Sequence, residues 1–143
     1  MTYNLADRAR RLVELGIGRA DRGVLDELMA DNCVEHQRGH SAGREGAWAV
    51  ATTLHRWMPD FSLTVEDIAV AGDTVWTRNR ARGTNSGTFM GNAPSGRPVE
   101  VDVIDILRFE NGIAVEHWGI ADQLGMMIQT GALLSKPQPA ASP

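Results

Sequence analysis

The sequence predicts a single α+β domain in which a curved antiparallel β-sheet forms a cone and N-terminal helices pack over it. Its 143 residues are enough for one domain with a sizeable core. Helical patterns come first and strand patterns follow, and segregated helices and antiparallel strands are typical of α+β folds. Asn111-Gly112, between two apolar runs, is the strongest short signal for a β-hairpin. A cone with one open end would enclose a pocket for a small molecule.

The first half of the chain predicts three helices, because apolar residues recur there at three- and four-residue spacing. Their predicted ranges are residues 4–18, 24–29 and 44–58. Asp21-Arg22-Gly23 is predicted to be a turn before the second helix, and Asp31-Asn32 its end. A brief strand over Cys33–His36 leads into a loop, and Pro59 ends the third helix because proline cannot continue one.

The second half predicts four strands and a final helix. The strands cover residues 61–69, 74–82, 99–109 and 113–121. Turn residues dominate 84–96, a segment in which an extra strand is expected around residues 87–90. The last helix should begin at Asp122, a suitable N-cap, and end at Gly131. Residues 1–132 are therefore predicted to form the domain, and the proline-rich residues 133–143 a flexible C-terminal tail.

Composition excludes several classes of function. The net charge is −4 and the chain has no basic block, which argues against a nucleic-acid partner. Cys33 is the only cysteine, so neither an internal disulfide nor a cysteine-based metal site is expected. His36 and His40 lack an obvious third ligand, and no metal is predicted. Without a signal-peptide pattern or a membrane-length apolar run, a cytoplasmic protein with no membrane partner is the simplest expectation.

Asp122 is the sharpest candidate for a catalytic role. It can be a helix N-cap, a carboxylate that transfers protons in the pocket, or both, because the two roles are compatible at a strand-to-helix corner. Trp118 and Ile120 share its strand parity. Desolvation by these side chains would make Asp122 a better proton acceptor, whereas the helix N-terminus would oppose that effect.

Asp105 and His117 are the other two catalytic candidates. Asp105 has the parity of the apolar residues two positions away, so it is a buried carboxylate if that face points inward. Alternatively, a bulge turns it outward or an arginine pairs with it. His117 can act as a general acid or base near neutral pH, or as a hydrogen-bonded structural histidine. Strict alternation puts His117 and Asp122 on opposite faces unless a bulge near Gly119 changes the register.

Four further residues are predicted to contact a substrate. Glu35 and His36 end the early strand, where they would reach the mouth of the pocket. Trp118 follows His117, and Val103 shares the strand face of Asp105. Together with Asp122, these residues outline the predicted site.

Several short motifs carry a resemblance to a known family. They are Gly83-Thr84-Asn85-Ser86-Gly87, Gly96-Arg97, Arg108-Phe109-Glu110-Asn111-Gly112, Glu116-His117-Trp118 with Asp122, and Gln129-Thr130-Gly131. Over nearly all of residues 5–131 the chain resembles the SnoaL-like polyketide cyclases of the nuclear transport factor 2-like superfamily. The resemblance implies that superfamily's α+β barrel, and a homodimer or homotetramer packed through sheet faces.

The resemblance also implies an activity. Family cyclases close the last ring of an aromatic polyketide ester by intramolecular aldol condensation without metal or organic cofactor, and the aspartate that matches Asp122 is their general acid/base. Where the founding cyclase has Gln and His two residues apart, this chain has Val103 and Asp105, and Glu35 replaces an Asn. The substrate that the resemblance implies is an anthracycline-type ester. The alternatives are a cofactor-independent hydroxylase of a similar substrate and a non-catalytic small-molecule-binding module.

Overall fold

The structure, a computed structural model, describes residues 2–133. Its helices are α1 (Leu5–Arg11), which continues as a π-helical stretch over Leu12–Ile17, α2 (Arg22–Leu28), α3 (Gly43–Trp57) and α4 (Gln123–Thr130). Its strands are β1 (Met29–Glu35), β2 (Ser62–Ala71), β3 (Thr74–Thr84), β4 (Pro98–Glu110) and β5 (Ile113–Ala121). Apart from residue 133, the predicted tail lies outside the described residues. Within residues 2–133 no helix is long and apolar enough to span a membrane.

The five strands form one curved, unclosed sheet in the order β1-β5-β4-β3-β2. Strands β2 to β5 are an antiparallel meander, as predicted. β1 joins the free edge of β5 in parallel, so the sheet is mixed at that edge. The helices pack on the sheet, and the predicted α+β class with a nuclear transport factor 2-like fold is confirmed.

Three local predictions are wrong. Residues 21–23 do not form a separate turn, because the Asp21 carboxylate accepts from the Val24 N–H and caps α2. Asp31-Asn32 does not end that helix but lies inside β1, in the stretch between Met29 and Val34 where the pairing with β5 is interrupted and both polar side chains are exposed. The extra strand around residues 87–90 is reduced to an isolated bridge between Phe89 and Asn92.

The β4–β5 hairpin forms at the predicted turn. Asn111 and Gly112 both have positive φ, at 49° and 77°, as a two-residue turn between twisted strands requires. The pairing then shifts by one residue, because Phe109 faces Ala114 whereas Arg108 faces Glu116. Val115 is therefore the extra residue of a β-bulge, and the faces of β5 exchange at this point.

The inner face of the sheet carries two apolar clusters with polar side chains between them. One cluster contains Val75 of β3 and Leu107 of β4, packed with residues of α1 and α2. The other contains Ala81 of β3 and Val101 of β4, packed with Trp57 of α3 and other residues. Alternation places Thr77, Asn79, Val103 and Asp105 on the same face between these clusters. The core is thus interrupted by a polar region in the middle of the sheet.

Candidate active site

Three predicted site residues meet in this polar region. The His117 ring lies between two carboxylates, with Nε2 2.7 Å from Asp105 Oδ1. On its other side, Nδ1 lies 2.8 Å from Glu35 Oε2. The three side chains are only 12 to 15% exposed. A histidine bonded through both ring nitrogens to carboxylates is held in one orientation.

Strand pairing explains how these residues come together. Asp105 follows the inward alternation of β4, so its predicted placement on the face of Val103 and Leu107 is confirmed. The bulge at Val115 turns His117 onto the same face, directly opposite Leu107. Glu35, at the end of β1, is the parallel partner of His117. Glu35 was predicted as a substrate contact, and the structure makes it the partner of His117 Nδ1.

The two carboxylates keep the ring charged. Burial alone would lower the pKa of His117, but the hydrogen bonds and negative charges of Asp105 and Glu35 raise it to about 9. Burial would likewise raise the pKa of Glu35, but the hydrogen bond and charge of His117 lower it overall. Two carboxylates and one imidazolium leave this cluster with one net negative charge. The cluster can therefore accept one proton and become neutral overall, which leaves no isolated charge in the core.

Asn79 and Thr77 extend the cluster along β3. The Asn79 amide donates to Asp105 Oδ2 at 2.8 Å and to Thr77 Oγ1 at 3.0 Å. Both side chains are buried. Neither was predicted as a site residue, although the sequence carries the signal. Arg78, Arg80 and Arg82 share one strand face, so the alternate residues of that strand, Thr77 and Asn79 among them, must face inward.

The segment after β1 covers the Glu35 side of the cluster. The Gln37 backbone N–H donates to Glu35 Oε1 at 2.7 Å. A Cβ on Gly119 would overlap the Gln37 carboxamide oxygen and lie 2.9 Å from His117 Cε1, so any larger residue there would have to displace these two side chains. His40 lies close enough to interact with the charges of the cluster. Burial lowers its pKa, the charge of Glu35 opposes this, and the charge of His117 lowers it further.

Asp122 lies outside this cluster. It is exposed at the start of α4, and its carboxylate accepts from the Gly125 N–H at 2.8 Å. Its predicted role as N-cap is confirmed. No hydrogen bond joins its side chain to Glu35, His117 or Asp105 among the described residues, and its catalytic role remains a prediction.

His36 and Trp118 lie on the opposite, outer face of the sheet. Their rings stack at 4.7 Å, and His36 Nε2 lies 2.7 Å from Glu116 Oε2. They do not share the site of His117, because successive strand residues point to opposite faces. Val103 is on the inner face, paired with Asn79 and Ala121, beside the cluster. Substrate contact by these three residues remains a prediction.

Comparisons with known proteins agree with this fold. The family described as SnoaL-like polyketide cyclase matches residues 7–130. No curated protein matches the chain. Among solved structures, IdmH from Streptomyces antibioticus, a proposed polyketide cyclase, is 37% identical, with a TM-score of 0.80 and coverage of 90% of this chain and 99% of IdmH.

Two further solved structures are similar along most of the chain. A proposed SnoaL-like polyketide cyclase from Jannaschia sp. CCS1 is 28% identical, with a TM-score of 0.79 and coverage of 90% of this chain and 92% of its own. AclR from Streptomyces galilaeus, a proposed hydroxylase, is 25% identical, with a TM-score of 0.77 and coverage of 94% and 87%. The neighbours therefore carry two different proposed activities on one fold.

We expect the His117 ring to titrate near pH 9, well above its ordinary value of 6.5. In Asp105→Asn the midpoint should fall towards that ordinary value, because one of two neighbouring charges is removed. Asp102→Asn is the matched control, since Asp102 is an exposed carboxylate on the outer face of the same strand. The measurement is the pH dependence of the ring resonances by NMR. A wild-type midpoint near 6.5 would contradict the ionic cluster.

We also expect stability to depend on this proton. The pKa of His117 is raised in the folded state, so its contribution is complete below about pH 6.5 and is lost as the pH rises through about 9. Between about pH 7 and 10 the wild type should lose roughly 2 to 3 kcal/mol more unfolding free energy than His117→Gln does. Urea unfolding at each pH measures this difference. Parallel curves for the two proteins would rule it out.

Proposed function

The chain belongs to the SnoaL-like polyketide cyclase family, and on this premise we propose that it closes a ring of an aromatic, anthracycline-type polyketide ester by intramolecular aldol condensation. The reaction would proceed by acid/base catalysis without a metal or organic cofactor. Asp105 would transfer the proton, supported by His117 and Glu35. The observation that carries the proposal is the line of hydrogen bonds from Glu35 through His117 to Asp105 on the inner face of the sheet.

The geometry suits such a proton transfer. Asp105 would take a proton from a carbon next to a carbonyl, and the substrate's own conjugation would stabilise the enolate. The enolate carbon would attack a second carbonyl, forming the new carbon–carbon bond. The resulting alkoxide would recover the proton from Asp105, so the product is an isomer of the substrate. The imidazolium of His117 would orient Asp105. The positive charge of the ring would interact strongly with the carboxylate, because charges are poorly screened in buried surroundings.

Two features favour Asp105 over Asp122 as the acid/base. The Asp105 side chain is 13% exposed and lies against a charged ring. Asp122 is exposed, and its carboxylate is occupied by the helix N-terminus. The family resemblance points to Asp122 instead. The experiment therefore compares an asparagine variant of each aspartate.

A hydroxylase is the second candidate, and the similarity to AclR favours it. In that reaction the same carboxylate would ionise an aromatic substrate, whose anion would react with dioxygen. One oxygen atom would enter the ring and the other would leave as water, with the substrate itself supplying the electrons and ending as a quinone. The two reactions differ in product mass and in their need for air. A binding module without turnover is the third possibility.

The test is incubation of the purified protein with an open-ring anthracycline precursor ester or a closed-ring anthracyclinone, in air and anaerobically, followed by mass spectrometry. We expect an isomer of the open-ring ester, formed equally without oxygen. Asp105→Asn should slow its formation by roughly 100-fold or more, the usual contribution of a general base. Asp122→Asn should remain active, because asparagine also caps helices. Asp102→Asn is the matched surface control.

Each other outcome points to a different function. Loss of activity in Asp122→Asn, with Asp105→Asn active, would transfer the acid/base role to Asp122. A product that has gained one oxygen atom and lost two hydrogens, formed only in air, would mean a hydroxylase. Binding of either compound by the wild type without any product would favour the binding module.

We further propose that two or four copies associate through the outer face of the sheet. On this face Ile104 and Ile120 are direct cross-strand partners, and Trp76 lies diagonally across β3 and β4 from Ile104. All three are exposed: Trp76 by 50%, Ile104 by 37% and Ile120 by 75%. Contiguous exposed apolar residues of this kind are typical of interaction surfaces. A second copy could bury the same face symmetrically.

Sedimentation or light scattering of the wild type should therefore give a mass of two or four times 15.6 kDa. Ile120→Lys should shift the mass towards the monomer, because a charge cannot be buried at such an interface without a partner. Met90→Lys is the control, since Met90 is equally exposed but lies in the loop between β3 and β4. A monomeric wild type would exclude the assembly.

A further inference from the structure

Asn79 is the most deeply buried polar group of the site. Its side chain is 0% exposed and lies on the inner face of β3, where Thr77 and Ala81 precede and follow it in the alternation. Its amide nitrogen donates to Asp105 Oδ2 at 2.8 Å and to Thr77 Oγ1 at 3.0 Å. Within residues 2–133 its own oxygen, Oδ1, has no hydrogen-bond partner.

The chemistry of the neighbours fixes the orientation of this amide. An ionised carboxylate only accepts hydrogen bonds, so the NH₂ group must face Asp105. Oδ1 then has to point elsewhere and remains unpaired. An unpaired buried oxygen is unfavourable, and an apolar side chain of similar size would avoid the cost. Packing alone therefore does not explain an asparagine at position 79, whereas its contact with Asp105 does.

We propose that Asn79 is a positioning residue of the reaction, which holds one oxygen of Asp105 while His117 holds the other. The carboxylate is thereby kept in a single orientation, and its negative charge is shared between two donors. The kinetic consequence rests on the function proposed above. The structural consequence, a coupling between Asn79 and His117 through Asp105, does not depend on any substrate.

Removing the Asn79 amide should change both the orientation of the Asp105 carboxylate and the share of its charge that acts on His117. Two donors to one carboxylate compete for its charge, so without Asn79 the charge acts on His117 alone, and the ring should bind its proton more tightly. The carboxylate also loses one of the bonds that orient it, which slows a step that depends on alignment. Substrate affinity should change little, because the buried Asn79 side chain acts through Asp105.

The experiment compares Asn79→Leu with Thr130→Val, a buried polar residue of α4 whose hydroxyl donates to the Met127 carbonyl oxygen, outside the cluster. In Asn79→Leu the NMR titration midpoint of His117 should rise above its wild-type value by roughly half a unit or more. With the open-ring ester, kcat should fall roughly tenfold or more while KM stays within about twofold. Thr130→Val should leave the midpoint and kcat close to wild type.

A purely structural role for Asn79 would lower stability without moving the midpoint, and that result would overturn the proposal. A fall in kcat with a raised KM and an unmoved midpoint would also overturn it, because Asn79 would then contact substrate directly. If the wild type converts neither compound, the proposed function fails, and the midpoint still decides the role of Asn79. Asn79→Val, smaller and suited to a strand, replaces the leucine variant if that protein does not fold.

Discussion

The site depends on the pairing register of β4 and β5. Continued from the Asn111-Gly112 turn without interruption, the pairing would set His117 opposite Ile106 on the outer face. The extra residue at Val115 shifts it by one, and His117 faces inward opposite Leu107. Because side chains alternate with a period of two, a one-residue shift of the pairing between Asp105 and His117 would turn His117 away from Asp105. The parallel edge strand β1 then brings Glu35 to the ring from the other side.

This register places charge where the rest of the fold is apolar. The cluster lies between two hydrophobic clusters that continue along β3 and β4 in both directions. An isolated charge would be very unfavourable there, and a single carboxylate would be expected to take up a proton. The line of alternating charges from Glu35 through His117 to Asp105 avoids this, since each ionised group has an oppositely charged neighbour. Stability and reactivity are therefore linked, because the proton that stabilises the cluster also orients the carboxylate that would react.

Sequence patterns predicted the parts of the molecule that depend on local interactions. The Asn-Gly turn, the Asp122 cap and the inward placement of Asp105 follow from turn chemistry, capping and alternation, and all three were found. The bulge was expected near Gly119 if anywhere, yet it lies at Val115, a β-branched residue with no local bulge signal. The contact between Glu35 and His117 joins residues 82 positions apart and requires the tertiary fold. Asn79 could have been found from strand parity alone.

All four residues of the proposed acid/base network lie on strands or at a strand end, and none on a flexible loop. Strand positions are fixed by backbone pairing, so their side chains can be exchanged without moving the framework, and one fold can carry different reactions. The same ionised Asp105 would serve either ring closure or substrate ionisation before oxygen attack. The choice between these reactions must then lie with the substrate that the inner face accepts and with the access of dioxygen to its anion. The base alone does not specify the reaction, and for this reason the requirement for air is the property that distinguishes the two enzymes.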